Sequence, residues 1–491
     1  MNSEAYICQI RDLNERGQGV GVITESGGSP NHEGMIAFAD GALPGERISG
    51  YPALEKPYYL VLEDTEILTA SPDRIENDCP YFPLCGSCQI RHLSYKAELA
   101  FKEKRVSDFL VRQGQVQDDP ELFSPIRGME DPFHYRGKSI FPVARDPQSQ
   151  ALFIGQYQRG SHDLVDLDQC HIQSRVALSL VKRIRQLAER DEITAYNETS
   201  HEGTLRHLMI RTAFSSGQVM LVFVVNDPAA DQAILTWLPE LIQEARLEDM
   251  NLQSVWINQS ETRGNRILSS DYRPIHGSET IEETVNGVLY RLSPDSFFQV
   301  NPKQAALLFD EIIKAAAPKP GQRILDLYSG VGAISLQLAQ AMKNSQPPLQ
   351  VTGVDTVAQA IQDARANARI NGLNNLTFIE ADATAWLEAY EESPGNRPFD
   401  VIVVDPPRKG LEAQALDVIQ QSDTPRIVYV SCNPATLARD LALLADRYKV
   451  ERVQPVDLFP RTTHVETIVL LSRKTANSHT RGEAKFLLNK S

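Results

Sequence analysis

The residues best suited to chemistry lie near the C-terminal end of the chain. Cys432 stands in Ser431-Cys432-Asn433-Pro434, after the apolar run 427–430 and before a helical pattern at 435–444. A thiol at a strand end and near a helix N-terminus is exposed, and the helix dipole lowers its pKa. We therefore expect Cys432 to be a covalent nucleophile. The alternative is a buried core cysteine, which the Asn-Pro turn disfavours.

Glu466 is the second candidate, in His464-Val465-Glu466-Thr467 just before the last apolar run, 468–472. A carboxylate close to a nucleophile can serve as a general base. Considered alone, Glu466 would be an ordinary surface residue. Its assignment therefore depends on a position beside Cys432.

The elements that must position these side chains form a regular pattern from about residue 320 onward. Apolar, strand-like runs alternate with helical stretches, which is typical of an α/β fold with a doubly wound parallel sheet. The strand-like runs are 323–327, 350–354, 377–379, 401–404 and 426–430.

A ligand site is predicted where the first of these strands enters a glycine turn, at 326–332. Glycine lets the backbone approach a ligand at the carboxyl end of the strand. Asp355, at the end of the second strand, could take both hydroxyls of a ribose, and Asp382 after the third could contact an adenine. Ser335 replaces the third glycine of the dinucleotide fingerprint, which disfavours a nicotinamide cofactor.

The loop 405–410, Asp-Pro-Pro-Arg-Lys-Gly, follows the fourth strand. Two prolines make it rigid and poor in backbone donors. Such a loop could hold a flat base in the cleft, or it could be only a stiff connection between strand and helix. The segment by itself does not separate these two interpretations.

The pattern along the chain predicts several domains. Short strand-like runs at 5–10, 17–23, 35–38 and 58–68 predict a small β-barrel in 1–68, with or without a function of its own. An α+β domain is expected at 69–290, with a helix at 93–113 that could pack on the catalytic domain. The doubly wound domain occupies 291–474, and the polar, basic end 475–491 is predicted to be a disordered tail.

Composition limits the class of protein. The 491 residues carry a net charge of -15, which weighs against nucleic acid unless a basic surface is local. No apolar run is long enough to span a membrane, and the first residues lack a secretory layout. We expect a cytoplasmic protein that does not bind a membrane.

Three of the six cysteines lie within ten residues, as Cys79-x5-Cys85-x2-Cys88, and Cys170 follows farther on. In a reducing cytosol such clustering favours a metal site over disulfides. Structural zinc and an iron–sulfur cluster both fit four thiolates. The alternative is four unrelated cysteines.

Two segments between these cysteines mix aromatic and cationic side chains, at 134–138 and at 156–162. That mixture suits base stacking and phosphate contact in RNA. An ordinary solvated surface explains it equally well.

Several of these motifs together closely resemble the RNA 5-methyluridine methyltransferases, and the match extends over almost the whole chain. Residues 1–65 look like the TRAM domain, a small RNA-binding barrel of the OB-like type. The motifs that carry the resemblance are 296–301, 326–332, 405–410, 431–434 and 464–466.

The resemblance implies a class I adenosylmethionine-dependent methyltransferase fold with S-adenosyl-L-methionine as cofactor. It implies that Cys432 adds to carbon 6 of uracil and that Glu466 removes the carbon 5 proton. Ala333 departs from the family, which often has a polar residue there. The residues implied to bind the cofactor are Gln299, Tyr328, Asp355 and Asp382, with Asp405 at the junction of cofactor and uracil.

The cysteine spacing resembles the branch of that family with a 4Fe-4S cluster, which implies Cys79, Cys85, Cys88 and Cys170 as its ligands. Four ligands leave no open iron, so the cluster would be structural or would position RNA. The expected substrate is a uridine of 23S ribosomal RNA, and the expected state is a monomer. Two alternatives remain: methylation of the transfer RNA T-loop, and a non-catalytic iron–sulfur RNA-binding protein.

Overall fold

The computed structural model describes residues 5–26, 30–146, 148–226, 229–260 and 267–474, so the predicted tail at 475–491 lies outside the described residues. The chain forms two compact units. The first comprises Met1–Lys102, Met129–Ile281 and Phe459–His464, and the second Glu103–Gly128, Glu282–Leu458 and Val465–Ser491. The division into domains at 68, 290 and 474 stays a prediction.

Five N-terminal strands of the first unit close into a barrel in the order β1-β2-β3-β5-β4. Alternate side chains of a strand point inward, and Tyr6, Cys8 and Ile10 are accordingly buried. The predicted N-terminal β-domain is confirmed. The fourth strand escaped prediction because Gly50 and Pro52 interrupt its pattern. The strands are β1 (Tyr6–Leu13), β2 (Gly19–Glu25), β3 (Ile36–Ala39), β4 (Arg47–Lys56) and β5 (Tyr59–Thr69).

The rest of the first unit is built on a seven-stranded sheet in the order β12-β11-β10-β9-β6-β7-β8. Leu180 and Ile184 of one helix pack against Leu208 and Phe223 of the sheet in its core. The helix α1 (Tyr95–Gln113) begins in the first unit and ends in the second. The other elements of the first unit are β6 (Lys138–Arg145), β7 (Leu152–Tyr157), β8 (Leu164–Asp166), α2 (Arg175–Arg190), β9 (Leu205–Thr212), β10 (Gln218–Val225), α3 (Ala229–Leu247), β11 (Asn251–Gln259) and β12 (Tyr272–Gly277).

The second unit contains the predicted α/β sheet, in the order β17-β16-β15-β18-β19-β21-β20. Its central strands are covered on both faces, as their continuous apolar runs require; all four residues of the central β18 are buried. The elements are β13 (Ile281–Val285), β14 (Val288–Leu292), α4 (Pro302–Ala316), β15 (Arg323–Leu327), α5 (Ala333–Ala341), β16 (Gln350–Asp355), α6 (Ala358–Ile370), β17 (Leu376–Glu380), α7 (Ala383–Glu392), β18 (Val401–Val404), α8 (Ala413–Gln421), β19 (Arg426–Ser431), α9 (Pro434–Leu444), β20 (Tyr448–Val456) and β21 (Glu466–Arg473).

The strands β15 to β19 run parallel, but β21 runs antiparallel to β19. Among the described residues, no helix combines the length and the apolar character that crossing a membrane requires.

Candidate active site

The carboxyl ends of the parallel strands are aligned at one edge of the sheet. Leu327 of β15 pairs with Val354 of β16 and with Val404 of β18. The residues that follow these partners therefore share that edge, at the point where the strand order reverses beside β15. Open α/β sheets bind ligands at this kind of position.

The glycine turn after β15 has an unusual backbone. Tyr328 has φ 64°, in the left-handed region that residues other than glycine rarely adopt, and Gly332 has φ 76°. A side chain at Gly332 would also come within 2.7 Å of the Phe378 ring. The turn is tied to the next strand, because Gly330 N–H donates to Asp355 Oδ2 at 2.8 Å.

Asp326, the last residue but one of β15, is fully buried. Its Oδ2 accepts from the N–H and the hydroxyl of Ser335, at 3.1 and 2.6 Å. Burial and the nearby charge of Asp405 raise the pKa of Asp326 to about 7. Ser335 thus fixes the position of the Asp326 carboxyl. In the sequence, Ser335 is notable only because it replaces the third glycine of the dinucleotide fingerprint.

Two buried polar atoms near the glycine turn, Asp326 Oδ1 and Ser329 Oγ, have no hydrogen-bond partner among the described residues. A buried polar group without a partner is costly unless a ligand or water supplies one. These two atoms therefore mark a place for a polar ligand group. Both residues belong to the motif 326–332, but nothing in the sequence indicates a role for either of them.

The other acidic residues expected to contact a cofactor make local hydrogen bonds. Asp355 Oδ1 accepts from Val357 N–H at 2.9 Å. Asp382 caps α7, and its Oδ1 accepts from the N–H groups of Thr384 and Ala385 at 3.1 and 2.9 Å. These two bonds fix the orientation of the Asp382 carboxylate. Its second oxygen, Oδ2, takes no part in them.

Gln299 precedes the helix α4 and is half-buried. The neighbouring Asn301 caps that helix, with its side chain accepting from Gln304 N–H. Its Nδ2 also donates to Leu458 O at 3.0 Å. These two bonds hold the backbone from which Gln299 projects.

Cys432 and Glu466 are brought together by the last two strands of the sheet. Ser431 of β19 pairs with Thr467 of β21 in an antiparallel ladder. Cys432, which follows Ser431, and Glu466, which precedes Thr467, are therefore cross-strand neighbours. Cys432 is half-buried, whereas Glu466 is only 6% exposed.

The low thiol pKa expected from the helix N-terminus is wrong. Burial, assisted by the charge of Glu466, raises the pKa of Cys432 to about 11, although Arg408 acts in the opposite direction. Burial likewise raises the pKa of Glu466 to about 8 and that of Asp405 to about 7. The site therefore gathers three acids that ionise less readily than usual, with one arginine beside them.

The four clustered cysteines lie in the first unit. Cys88 and Cys170 belong to one apolar cluster. Burial raises the pKa of Cys88 to about 12, and the charges of Cys170, Cys85 and Cys79 contribute to this rise. The four thiols are therefore near enough to interact. Within the described ranges, no group of three or more His, Cys, Asp or Glu side chains is arranged to hold a metal ion.

Cys8 has a separate environment. It is fully buried in the barrel core, where burial raises its pKa to about 11. Such a thiol is inert.

Several groups in the segments predicted to contact RNA have protein partners within the first unit. Arg159 forms an ion pair with Asp40 at 3.2 Å. Glu198 accepts from Tyr157 at 3.1 Å and lies 2.8 Å from His162 Nδ1. RNA contact through these segments stays a prediction.

The sheet order, the glycine turn and the acids at one edge define an α/β enzyme of the methyltransferase fold class. Residues 94–474 match the tRNA (uracil-5-)-methyltransferase family. An uncharacterized RNA methyltransferase of Halalkalibacterium halodurans is 37% identical over 95% of this chain and 96% of its own length. A second one, from Clostridium tetani, is 35% identical over 96% of both chains.

A solved structure shows the same likeness. The tRNA (uracil-54, C5)-methyltransferase of Pyrococcus abyssi, in complex with S-adenosyl-L-homocysteine, superposes with a TM-score of 0.70 and 25% identity. The likeness covers 94% of this chain and 99% of the other. This chain belongs to the tRNA (uracil-5-)-methyltransferase family and is an RNA methyltransferase, a transferase of one-carbon groups.

The raised pKa of Glu466 predicts a pH-dependent stability. Between its usual 4.5 and about 8, the folded state holds a proton that the unfolded state has lost, so this group makes stability fall as pH rises. Glu466→Gln cannot ionise. We expect its Tm to equal that of the wild type below pH 4.5 and to exceed it by about 2–6 °C at pH 9.

Thermal unfolding from pH 4 to pH 9 measures this difference. Asp417→Asn is the matched control, because Asp417 is an exposed carboxyl on α8 of the same unit. Parallel Tm curves for wild type and Glu466→Gln would contradict the buried, protonated state of Glu466.

Proposed function

We propose that this enzyme methylates carbon 5 of a uridine in RNA, with Cys432 as covalent nucleophile and Glu466 as base. The observation that carries the proposal is the pairing of β19 with β21. It sets a thiol and a buried carboxyl side by side at the edge of the sheet where the glycine turn lies.

The chemistry explains why both groups are needed. Carbon 5 of uracil is too weak a nucleophile to take a methyl group directly. When the Cys432 sulfur bonds to carbon 6, the electrons of the 5,6 double bond make carbon 5 an enolate-like nucleophile. Once carbon 5 has bonded to the methyl group, Glu466 in its carboxylate form takes the carbon 5 proton, the carbon–sulfur bond breaks, and the thiolate leaves. The uridine must leave its stack to reach these groups.

S-adenosyl-L-methionine, when bound, supplies the electrophilic methyl group. The unpartnered atoms Asp326 Oδ1 and Ser329 Oγ fit a site for its polar part, beside the strained turn at Tyr328. The residues that would hold it are Gln299, Tyr328, Asp355 and Asp382, with Asp405 between it and the uracil.

Covalent trapping tests the nucleophile. In RNA with 5-fluorouridine, fluorine replaces the proton that the base removes, so a methylated adduct cannot break down. With labelled S-adenosyl-L-methionine we expect the full-length protein to form a labelled protein–RNA complex that survives denaturation. Cys432→Ala should form none.

Cys8→Ala is the control, because it removes a thiol that lies in the barrel core, and it should trap normally. Glu466→Gln should retain the adduct even with ordinary uridine and should turn over about 10²–10⁴-fold more slowly. Trapping by Cys432→Ala at the level of the wild type would refute the proposal, and a non-catalytic RNA-binding protein would trap in no variant.

For the target we propose 23S ribosomal RNA, on the resemblance of the barrel and the cysteine spacing to that branch of the family. The second candidate is uridine 54 of transfer RNA, favoured by the Pyrococcus abyssi enzyme. Because 99% of that chain is covered by the likeness, the general architecture does not distinguish the two targets. The barrel is proposed to be a TRAM-type RNA-binding domain of a monomeric, cytoplasmic enzyme.

Methyl transfer to matched transcripts decides the target. We expect the full-length enzyme to label a 23S ribosomal RNA transcript with tritium from the methyl donor and to leave a transfer RNA transcript unlabelled. A transfer RNA with cytidine at position 54 is the control. If transfer RNA is labelled, and if cytidine at position 54 abolishes this labelling, the second candidate is established instead.

We further propose that Cys79, Cys85, Cys88 and Cys170 hold a 4Fe-4S cluster. The support is the cysteine spacing and the electrostatic influence of the thiols on one another, whereas the described side chains form no metal-holding group. No step of the reaction passes through the cluster. Anaerobically purified protein should be brown, with iron and sulfide in about equal amounts. Cys88→Ser should lose the colour, whereas Cys8→Ser should keep it. A colourless protein loaded with zinc would exclude the cluster.

A further inference from the structure

The loop after β18 is held in place by the first turns of α9. The carbonyl of Arg408 accepts two hydrogen bonds, from Asn433 Nδ2 at 3.3 Å and from Thr436 Oγ1 at 3.2 Å. Asn433 directly follows Cys432 in the chain. The backbone that carries the Arg408 side chain is thus bonded to the residue next to the thiol.

The following residues of the loop are held just as closely. Arg439 Nη2 donates to the carbonyls of Lys409 and Leu411, at 3.0 and 3.1 Å. The Leu411 N–H donates to Asp440 Oδ2 at 2.8 Å, and Asp440 is fully buried.

Gly410 makes this packing possible. Its φ is 76°, and a Cβ at this position would lie 2.6 Å from both Arg439 Nη2 and Asp440 Oδ2. No other residue can replace it without moving this pair. The loop is therefore rigid, although the side chain of Arg408 is exposed.

The charges that act on the Cys432 thiol come from three elements. Glu466 of β21 and Asp405 at the end of β18 oppose its ionisation, and Arg408 of the loop favours it. Arg408 acts in the same sense on Glu466. The adjacent cation, Lys409, pairs with Glu412 at 2.6 Å.

We propose that Arg408 is a positioning residue that stabilises the thiolate form of Cys432 through its charge. The inference depends on the proposed role of Cys432 as nucleophile. When the thiol ionises, its proton passes to solvent water and the electron pair stays on sulfur. When sulfur bonds to carbon 6, this negative charge moves onto the uracil, so the rigid loop serves the first step of the reaction.

The reactivity of Cys432 tests this role without any turnover. The full-length protein is alkylated with iodoacetamide from pH 6 to pH 10, and the peptide 427–439 is followed by mass spectrometry. Cleavage after Arg426 and Arg439 leaves Cys432 as the single cysteine of that peptide. Only the thiolate reacts, so the pH profile reports its apparent pKa.

We expect Arg408→Met to move this profile upward by about one pH unit, which makes alkylation about tenfold slower near neutral pH. Arg408→Lys should restore most of the rate. Lys409→Met is the matched control: it removes a cation from the same loop and should leave the profile unchanged. Circular dichroism and Tm identify a variant that has lost its fold.

An unchanged profile in folded Arg408→Met would overturn the proposal. If that variant instead binds RNA more weakly and with a smaller salt dependence, Arg408 contacts a phosphate. Failure of the proposed function is detected by a different experiment, because Cys432→Ala would then trap RNA at the level of the wild type. Loss of activity in Arg408→Met and in Arg408→Lys with a normal alkylation profile would likewise contradict an effect on the thiolate.

Discussion

The candidate site depends on the reversed direction of one strand, β21. In a sheet of parallel strands, only the residues that follow each strand reach the carboxyl edge. Because β21 runs antiparallel to β19, its first residue reaches that edge instead. Glu466, which begins β21, is thereby set beside Cys432, which follows β19. The same edge carries the glycine turn after β15, so one pairing joins the thiol, the carboxyl and the ligand site.

Burial then determines the protonation of the site. Asp405, Glu466 and Cys432 all have raised pKa values, at about 7, 8 and 11. Burial is the largest cause of all three shifts, and the charge of Asp405 adds to it at Glu466 and at Cys432. A cation in a rigid position is the simplest way to favour charge in such a group, and Arg408 supplies one.

The sequence predicts the fold of the second unit closely and the electrostatics of its site poorly. The runs 323–327 and 401–404 match β15 and β18 residue for residue, since buried parallel strands need continuous apolar runs. The thiol pKa cannot be predicted in this way, because the helix N-terminus is local in sequence, whereas the burial of Cys432 and the nearby charge of Glu466 arise only in the folded unit. The predicted catalytic pair, Cys432 and Glu466, does lie together, but their roles stay predictions.

Two further features could not be predicted for related reasons. The strand β4 carries Gly50 and Pro52. The barrel accommodates both residues, but they interrupt the sequence pattern from which a strand is predicted. The bond between Ser335 and Asp326 exists only once α5 packs over β15. In each case, the decisive contact joins residues whose local patterns say nothing about one another.

The six cysteines show that residue type alone does not determine chemistry in this chain. Cys8 lies in an apolar barrel core, where burial raises its pKa and the charge of Arg11 lowers it. Cys88 and Cys170 lie in an apolar cluster, where burial and the other thiols raise the pKa of Cys88 and Arg91 lowers it. Cys432 has a cation on a rigid loop and a carboxyl on the adjoining strand. The proposed covalent catalysis on a pyrimidine ring needs a cation that balances an added negative charge and a carboxylate that accepts a proton.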